Sequence, residues 1–157
     1  MKFAFADRSR FLGDPDFVSV PVARLTGRAH ADSQRARIRM DRALPPAAIE
    51  GAPRVPESSH TSHLSVVDTE GNAIAATFTI NLNFGSGMVA AGTGVILNDE
   101  MDDFAAAPGT PNAFGLIQGD RNAVAPHRRP LSSMTPTIVL DADGVRIVTG
   151  SPGGSRI

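Results

Sequence analysis

A proline-rich segment, residues 43–59, constrains the fold of this chain more than any other feature. It contains Pro45, Pro46, Gly51, Pro53 and Pro56. Proline fixes φ and lacks a backbone donor, so the segment cannot form a continuous helix or a central strand. The sequence therefore predicts a surface connection that divides the chain and is accessible to cleavage.

Two β-hairpins are predicted after this connection. Residues 63–69 alternate between apolar and polar side chains, the turn Glu70-Gly71-Asn72 tolerates positive φ, and residues 73–81 continue as a strand. Residues 135–149 carry a second strand, turn and strand. Before the connection, residues 26–42 contain good helix formers but only a thin apolar stripe, which predicts a solvated helix.

The composition excludes several classes of function. A formal net charge of -1 argues against non-specific binding to nucleic acid or anionic membranes, which needs an excess of Lys and Arg. The absence of cysteine excludes disulfides and thiol catalysis. The first six residues are too short an apolar run for a signal peptide, and no run approaches the roughly 20 residues of a membrane helix.

Thr61 stands where the polar connection gives way to the first strand pattern. If the bond between His60 and Thr61 were cut, Thr61 would carry a nucleophilic hydroxyl and a free amine able to accept its proton. An ordinary loop threonine is the alternative, and local sequence alone favours it because Ser and Thr are common in loops.

Glycine and histidine patterns suggest further sites, of unequal strength. His60 and His63 are spaced like metal ligands, but no third ligand stands near them, so no metal site is predicted. Residues 85–90 match G-x-G-x-x-A, yet the next glycines interrupt the helix that a nucleotide-binding motif must open. The glycine pair Gly153-Gly154 suits an oxyanion hole, because its backbone can approach a ligand closely.

Two polar segments keep alternative interpretations. Residues 101–104, Met-Asp-Asp-Phe, are either a solvated loop or a site for a substrate ammonium group, which carboxylates bind well. Ser132 and Ser133 offer two adjacent hydroxyls, which in isolation indicate no more than a loop.

Taken together, the motifs resemble the gamma-glutamyltransferase family, a branch of the N-terminal-nucleophile hydrolases. The matching segments span nearly the whole chain and are residues 4–8, 12–17, 61–63, 97–98, 101–104, 129–134, 136–138 and 149–156. The resemblance implies an α+β fold, part of a four-layer αββα sandwich. It also implies that the chain is an internal fragment that is neither stable nor active alone, because sheet edges and apolar faces would be exposed.

By the same resemblance, a precursor cuts itself between His60 and Thr61. Residues 1–60 would end the large subunit, and residues 61–157 would begin the small catalytic subunit, the two forming a heterodimer. The implied catalytic residues are Thr61 as nucleophile, Thr79 as the hydroxyl that orients it, and Gly153 and Gly154 as oxyanion donors. The implied substrate-binding residues are Asn81, Glu100 and Asp103 at the α-amino end and Ser132 and Ser133 at the carboxylate.

The family transfers the γ-glutamyl group of glutathione and related compounds to water or to an amino acid or peptide, without a cofactor. The arginine that binds the substrate carboxylate in this family has no counterpart in the chain. A related acylase acting on glutaryl groups and a catalytically silent fragment are the alternatives. Family resemblance also implies a periplasmic, secreted or cell-surface location.

Overall fold

The computed structural model describes residues 1–45, 48–49, 61–154 and 157. Most of the predicted proline-rich connection, together with His60, lies outside the described residues. The described residues fall into two compact units. The first contains residues 1–45, 48–49 and 103–131, and the second contains residues 61–102, 132–154 and 157.

Helices belong to the first unit. They are α1 (Lys2–Phe11), α2 (Val22–Leu25) and α3 (Arg28–Ala36). The helix predicted within residues 26–42 is confirmed but is shorter than that range, whereas α1 was not anticipated. No helix in the described part of the chain combines the length and apolar character that crossing a bilayer requires.

Arginine–aromatic contacts hold the helices together, which explains why the apolar stripe of α3 is thin. The Arg24 guanidinium lies 4.2 Å from the ring centroid of Phe11, and Arg37 lies 4.3 Å from that of Phe3. Such contacts are attractive because the ring face carries negative charge density. His30 Nε2 also lies 2.8 Å from Asp7 Oδ2, which links α3 to α1.

The core of the first unit lies mainly in residues 104–116. Its buried apolar side chains are Ile49, Phe104, Ala105, Phe114 and Leu116. Residues 106–130 are rich in proline and glycine, and a short 3-10 helix, Asp120–Asn122, is their one assigned helix or strand. Three polar side chains are buried within the same unit, Asp14, Gln118 and Asn122.

The second unit contains both predicted hairpins as separate antiparallel two-stranded sheets. The first pairs β1 (Ser62–Val67) with β2 (Ala73–Phe78), and the second pairs β3 (Thr137–Asp141) with β4 (Gly144–Thr149). The predicted 70–72 turn is confirmed: Asp68 Oδ1 accepts bonds from the amides of Glu70 and Asn72. With the helices, these hairpins confirm the α+β class.

Several strand boundaries differ from the sequence prediction, and β1 spans Ser62–Val67 rather than residues 63–69. β2 ends at Phe78 rather than at Asn81, because the Thr79 hydroxyl accepts the Asn81 amide at 2.9 Å and Asn81 adopts a φ of 71°. This local turn competes with strand pairing. β3 begins at Thr137 rather than at residue 135, in keeping with Pro136, which cannot donate to a strand ladder.

Large apolar side chains are exposed on both hairpins, as expected for a part of a larger sandwich. They include Leu64, Val66, Ile74, Phe78, Ile138, Leu140 and Ile147. Residues 85–90 form part of a short loop closed by an antiparallel bridge between Val89 and Ile96, and no helix follows them. The α-helix that a nucleotide-binding motif must open is therefore not formed directly after these residues.

Candidate active site

The first hairpin brings Thr61 and Thr79 to the same place. Its register pairs Ser62 with Phe78 and His63 with Thr77. Extending that register by one position sets Thr61 directly opposite Thr79, where paired Cα atoms are about 4.5 to 5.5 Å apart. Both threonines are half-buried, one immediately before β1 and the other immediately after β2.

An open cleft of about 360 Å³ lies at this end of the hairpin. Its lining residues are Thr61, Ser62, Phe78, Thr79, Ile80, Leu82, Asn83 and Phe84. The cleft therefore combines two hydroxyls with an apolar wall, and it has room for a small substrate. The described residues that line it do not include Ser132, Ser133, Gly153 or Gly154.

Thr79 has a fixed hydroxyl oxygen. The Asn81 amide donates to Thr79 Oγ1 at 2.9 Å, so that the hydroxyl keeps its own proton for a second partner. The predicted strand, residues 73–81, included Thr79, but β2 ends one residue before it. The turn that follows β2 fixes the hydroxyl instead.

Asn81 connects the turn after β2 with residues 99–103, a segment rich in acidic side chains. Its side chain is buried, and its Nδ2 donates to the Asp99 carbonyl at 3.2 Å, while the Asp99 carboxylate accepts the Leu82 amide at 3.1 Å. Glu100 follows directly and begins a 3-10 helix, Glu100–Asp103, with its amide bonded to Asn98 Oδ1 at 3.0 Å. The predicted amine-binding residues Asn81 and Glu100 are thus close in the second unit.

His63, two residues after Thr61, lies in β1 opposite Thr77. His63 Nδ1 lies 2.8 Å from the Thr77 hydroxyl, and Nε2 lies 3.0 Å from the Ser65 hydroxyl. Gly150 lies against the His63 ring so closely that a Cβ atom there would overlap the ring. Among the described residues, no group of three or more His, Cys, Asp or Glu side chains could hold a metal ion.

The two glycines predicted as oxyanion donors both have positive φ. Gly153 has a φ of 95° and Gly154 a φ of 63°, both in the left-handed region that favours glycine. Gly154 is buried and Gly153 is half-buried. Ser132 is exposed and its hydroxyl accepts the Met134 amide at 3.1 Å, whereas Ser133 is half-buried.

Asp103 belongs to the first unit, where two buried amides hold its carbonyl. Gln118 Nε2 donates to the Asp103 carbonyl at 3.1 Å and Asn122 Nδ2 donates to it at 2.7 Å. Burial lowers the pKa of the Arg8 guanidinium, and the charge of Asp103 opposes that shift. The sequence prediction named Asp103 but did not identify the residues that fix it.

An ion pair between the buried carboxylate of Asp14 and the exposed side chain of Arg129 was also missed, although both residues stand in the matching motifs. Arg129 donates from its amide and from Nε to Asp14 Oδ2, at 2.8 and 3.1 Å, and from Nη2 to Oδ1 at 2.7 Å. These bonds from Arg129 hold the pKa of Asp14 well below its usual value, and they raise the pKa of Arg129. The sequence signal for this pair was an acidic residue in one matching motif, residues 12–17, and a basic residue in another, residues 129–134.

The chain is similar to proteins of known family. The family model described as gamma-glutamyltranspeptidase matches residues 1–157. The glutathione hydrolase proenzyme of Escherichia coli K12 is 54% identical over 157 residues, which cover 99% of this chain and 27% of that protein. The acylase ACY 1 proenzyme of Pseudomonas sp. SE83 is 39% identical over 158 residues, covering 100% of this chain and 26% of the acylase.

A solved structure shares the fold. The crystal structure of a mutant of Helicobacter pylori gamma-glutamyltranspeptidase superposes with a TM-score of 0.58 at 56% identity, covering 60% of this chain and 51% of that one. The chain spans about a quarter of the length of the curated relatives it matches, with 27% and 26% in the two cases above.

Proposed function

Because this chain belongs to the gamma-glutamyltranspeptidase family, we propose that the protein containing it is a gamma-glutamyltransferase with glutathione hydrolase activity, whose nucleophile is Thr61. The observation that carries this proposal is the hairpin register, which sets Thr61 opposite Thr79 at the edge of a cleft of about 360 Å³. The relatives' names support a precursor, since the Escherichia coli protein is called a proenzyme.

Self-cleavage comes first in the proposed sequence of reactions. The Thr61 hydroxyl attacks the carbonyl carbon of His60, the bond to the Thr61 nitrogen breaks, and an ester joins the two residues. Water then hydrolyses the ester, which leaves a carboxylate on His60 and a free amine on Thr61. The new amine has an ordinary pKa of about 7.7 to 8.0, so it is neutral often enough near pH 7 to act as a base.

Turnover reuses the same oxygen. Thr61 Oγ attacks the γ-amide carbon of a γ-glutamyl compound such as glutathione, and its proton passes through the Thr61 amine to the leaving amine. The resulting γ-glutamyl ester is cleaved by water, which yields glutamate, or by the amine of an amino acid or peptide, which yields a new γ-glutamyl amide. The Thr79 hydroxyl, held by the Asn81 amide, orients the nucleophile.

The remaining site residues bind the substrate and its developing charge. Gly153 and Gly154 donate to the oxyanion, a contribution of about 3 to 4 kcal/mol per donor in comparable enzymes. Asn81, Glu100 and Asp103 bind the α-amino end. Ser132 and Ser133 bind the α-carboxylate. The protein is further proposed to be a heterodimer divided before Thr61, located in the periplasm, outside the cell or on its surface.

The test uses the full-length protein that contains this chain. Mass spectrometry should find wild-type protein in two pieces divided before Thr61, and the purified protein should release 4-nitroaniline from γ-glutamyl-4-nitroanilide. Thr61→Ala should remain one uncut and inactive chain, while Thr61→Ser, which keeps the hydroxyl, should still be cleaved. A Thr61→Ala protein that is cleaved and active refutes the assignment.

An acylase is the second candidate, and the Pseudomonas acylase at 39% identity is the observation that favours it. Glutaryl side chains lack the α-amino group that Asp103 would bind. Comparing turnover of γ-glutamyl-4-nitroanilide with that of glutaryl-4-nitroanilide separates the two, because an acylase should prefer the glutaryl compound. An intact, inactive wild-type chain would instead indicate the third possibility, a silent protein.

A further inference from the structure

A network of buried polar side chains in the first unit centres on Asn122, which is only 2% exposed. Its Nδ2 donates to the Asp103 carbonyl at 2.7 Å and to Gln118 Oε1 at 2.8 Å. Its Oδ1 accepts the Leu131 amide at 3.2 Å. With two donors and an acceptor engaged, the orientation of this amide is fully determined.

The same network holds both polar backbone groups of Leu131. Asn122 accepts its amide, and Arg8 Nη2 donates to its carbonyl at 3.0 Å. Arg8 Nη1 also lies 3.3 Å from Gln118 Oε1, and Gln118 donates to the Asp103 carbonyl. Two chain segments far apart in sequence, one at Asp103 and the other at Leu131, are therefore bound to one buried amide.

Those segments carry substrate-binding groups under the proposed function, on which this inference rests. Asp103 is assigned to the α-amino group, and Leu131 directly precedes the Ser132-Ser133 pair assigned to the α-carboxylate. We propose that Asn122 is a positioning residue for substrate specificity: by fixing the backbone at Asp103 and at Leu131, it sets the groups that recognise the α-amino acid head of the donor. It touches neither the substrate nor the reacting atoms.

A positioning role predicts a specific kinetic pattern. Asn122→Asp keeps the size and an acceptor for the Leu131 amide, but it replaces the donor to the Asp103 carbonyl with an oxygen that repels it. The KM for γ-glutamyl-4-nitroanilide should rise about tenfold or more, the usual consequence of losing a buried hydrogen bond in a binding site. Self-cleavage before Thr61 should persist, since Asn122 has no part in that reaction.

Inhibition by glutamate and glutarate supplies a readout that a purely structural role would not change. L-glutamate carries the α-amino group and glutarate does not. In wild-type protein L-glutamate should be the stronger inhibitor, and in Asn122→Asp its advantage should shrink about tenfold while inhibition by glutarate changes little. If Asn122→Asp fails to fold, Gln118→Met, which removes the second donor to the Asp103 carbonyl, should show the same pattern in milder form.

Asn112 provides the matched control. It lies in the same unit, and its Oδ1 accepts the amides of Phe114 and Leu116, both at 3.0 Å, within a neighbouring turn. Asn112→Ala should lower stability without changing the preference for L-glutamate. The inference is overturned if the KM and glutamate preference of Asn122→Asp stay within twofold of wild type, or if Asn112→Ala alters them equally. A wild-type protein that does not cleave γ-glutamyl-4-nitroanilide would instead refute the proposed function.

Discussion

His63 Nδ1 lies 2.8 Å from the Thr77 hydroxyl, across the first hairpin and two residues along each strand from Thr61 and Thr79. This side-chain contact adds to the strand pairing close to Thr61, which directly precedes β1, and Thr79, which directly follows β2. The candidate nucleophile and its partner hydroxyl thus depend on strand pairing for their separation.

Thr79→Ala should lower kcat by about 10- to 100-fold, because the hydroxyl that orients Thr61 is lost and a hydrogen bond to a reacting group is worth about 1.5 to 3 kcal/mol. Steady-state kinetics with γ-glutamyl-4-nitroanilide measure the change. Thr79→Ser keeps the hydroxyl and should retain most activity. Equal activity in the Ala and Ser variants would remove Thr79 from the proposed mechanism.

Gly150→Ala should destabilise the protein by about 1 to 3 kcal/mol, the usual cost of overpacking, because the new Cβ atom would overlap the His63 ring. The thermal unfolding midpoint reports the change. Gly119→Ala is the control, since a Cβ atom there meets nothing within 4 Å. In a His63→Ala background, Gly150→Ala should cost much less, and an unchanged cost would contradict the proposed clash.

Acid should weaken the link between Asp14 and Arg129. Because Arg129 holds the pKa of Asp14 below its usual value, the ionised carboxylate stabilises the folded state at neutral pH. This contribution is complete above the ordinary carboxyl pKa of about 4 and is lost as the pH falls below it toward the lowered value.

Chemical unfolding at pH 7 and pH 3.5 should therefore show a smaller acid-induced loss of stability for Asp14→Asn than for wild type. Asp16→Asn is the matched control, because Asp16 also pairs with Arg129 but its side chain is 70% exposed. Exposed pairs contribute little, so this variant should behave like wild type. Identical pH dependence in wild type and Asp14→Asn would contradict the prediction.

Asp103→Ala should raise the KM for γ-glutamyl-4-nitroanilide by about tenfold or more and leave self-cleavage intact, because a carboxylate that binds the α-amino group has no role in peptide scission. Asp102→Ala, one residue earlier in the same 3-10 helix, is the control and should change KM little. An unchanged KM in Asp103→Ala would exclude it from the amine site.

The local pattern of the chain was sufficient to predict both hairpins and the turn at residues 70–72. Alternation and turn residues act over a few positions, so they can be interpreted without a structure. Strand ends were less predictable: the end of β2 depends on the bond between Thr79 and Asn81, and side-chain competition with the backbone leaves only a weak sequence signal. Helix α1 was missed because arginines of other segments cover its aromatic side chains.

By itself, the sequence determined the family, the candidate nucleophile and the residue types of the proposed site, because these follow from motifs in a fixed order. Only the tertiary structure decided that Thr61 and Thr79, at one end of the first hairpin, line the same cleft and that Asn122 binds Asp103 and Leu131. The physical reason is that pairing register and buried hydrogen bonds join residues distant in the chain. Their partners are selected by geometry that no short stretch of sequence specifies.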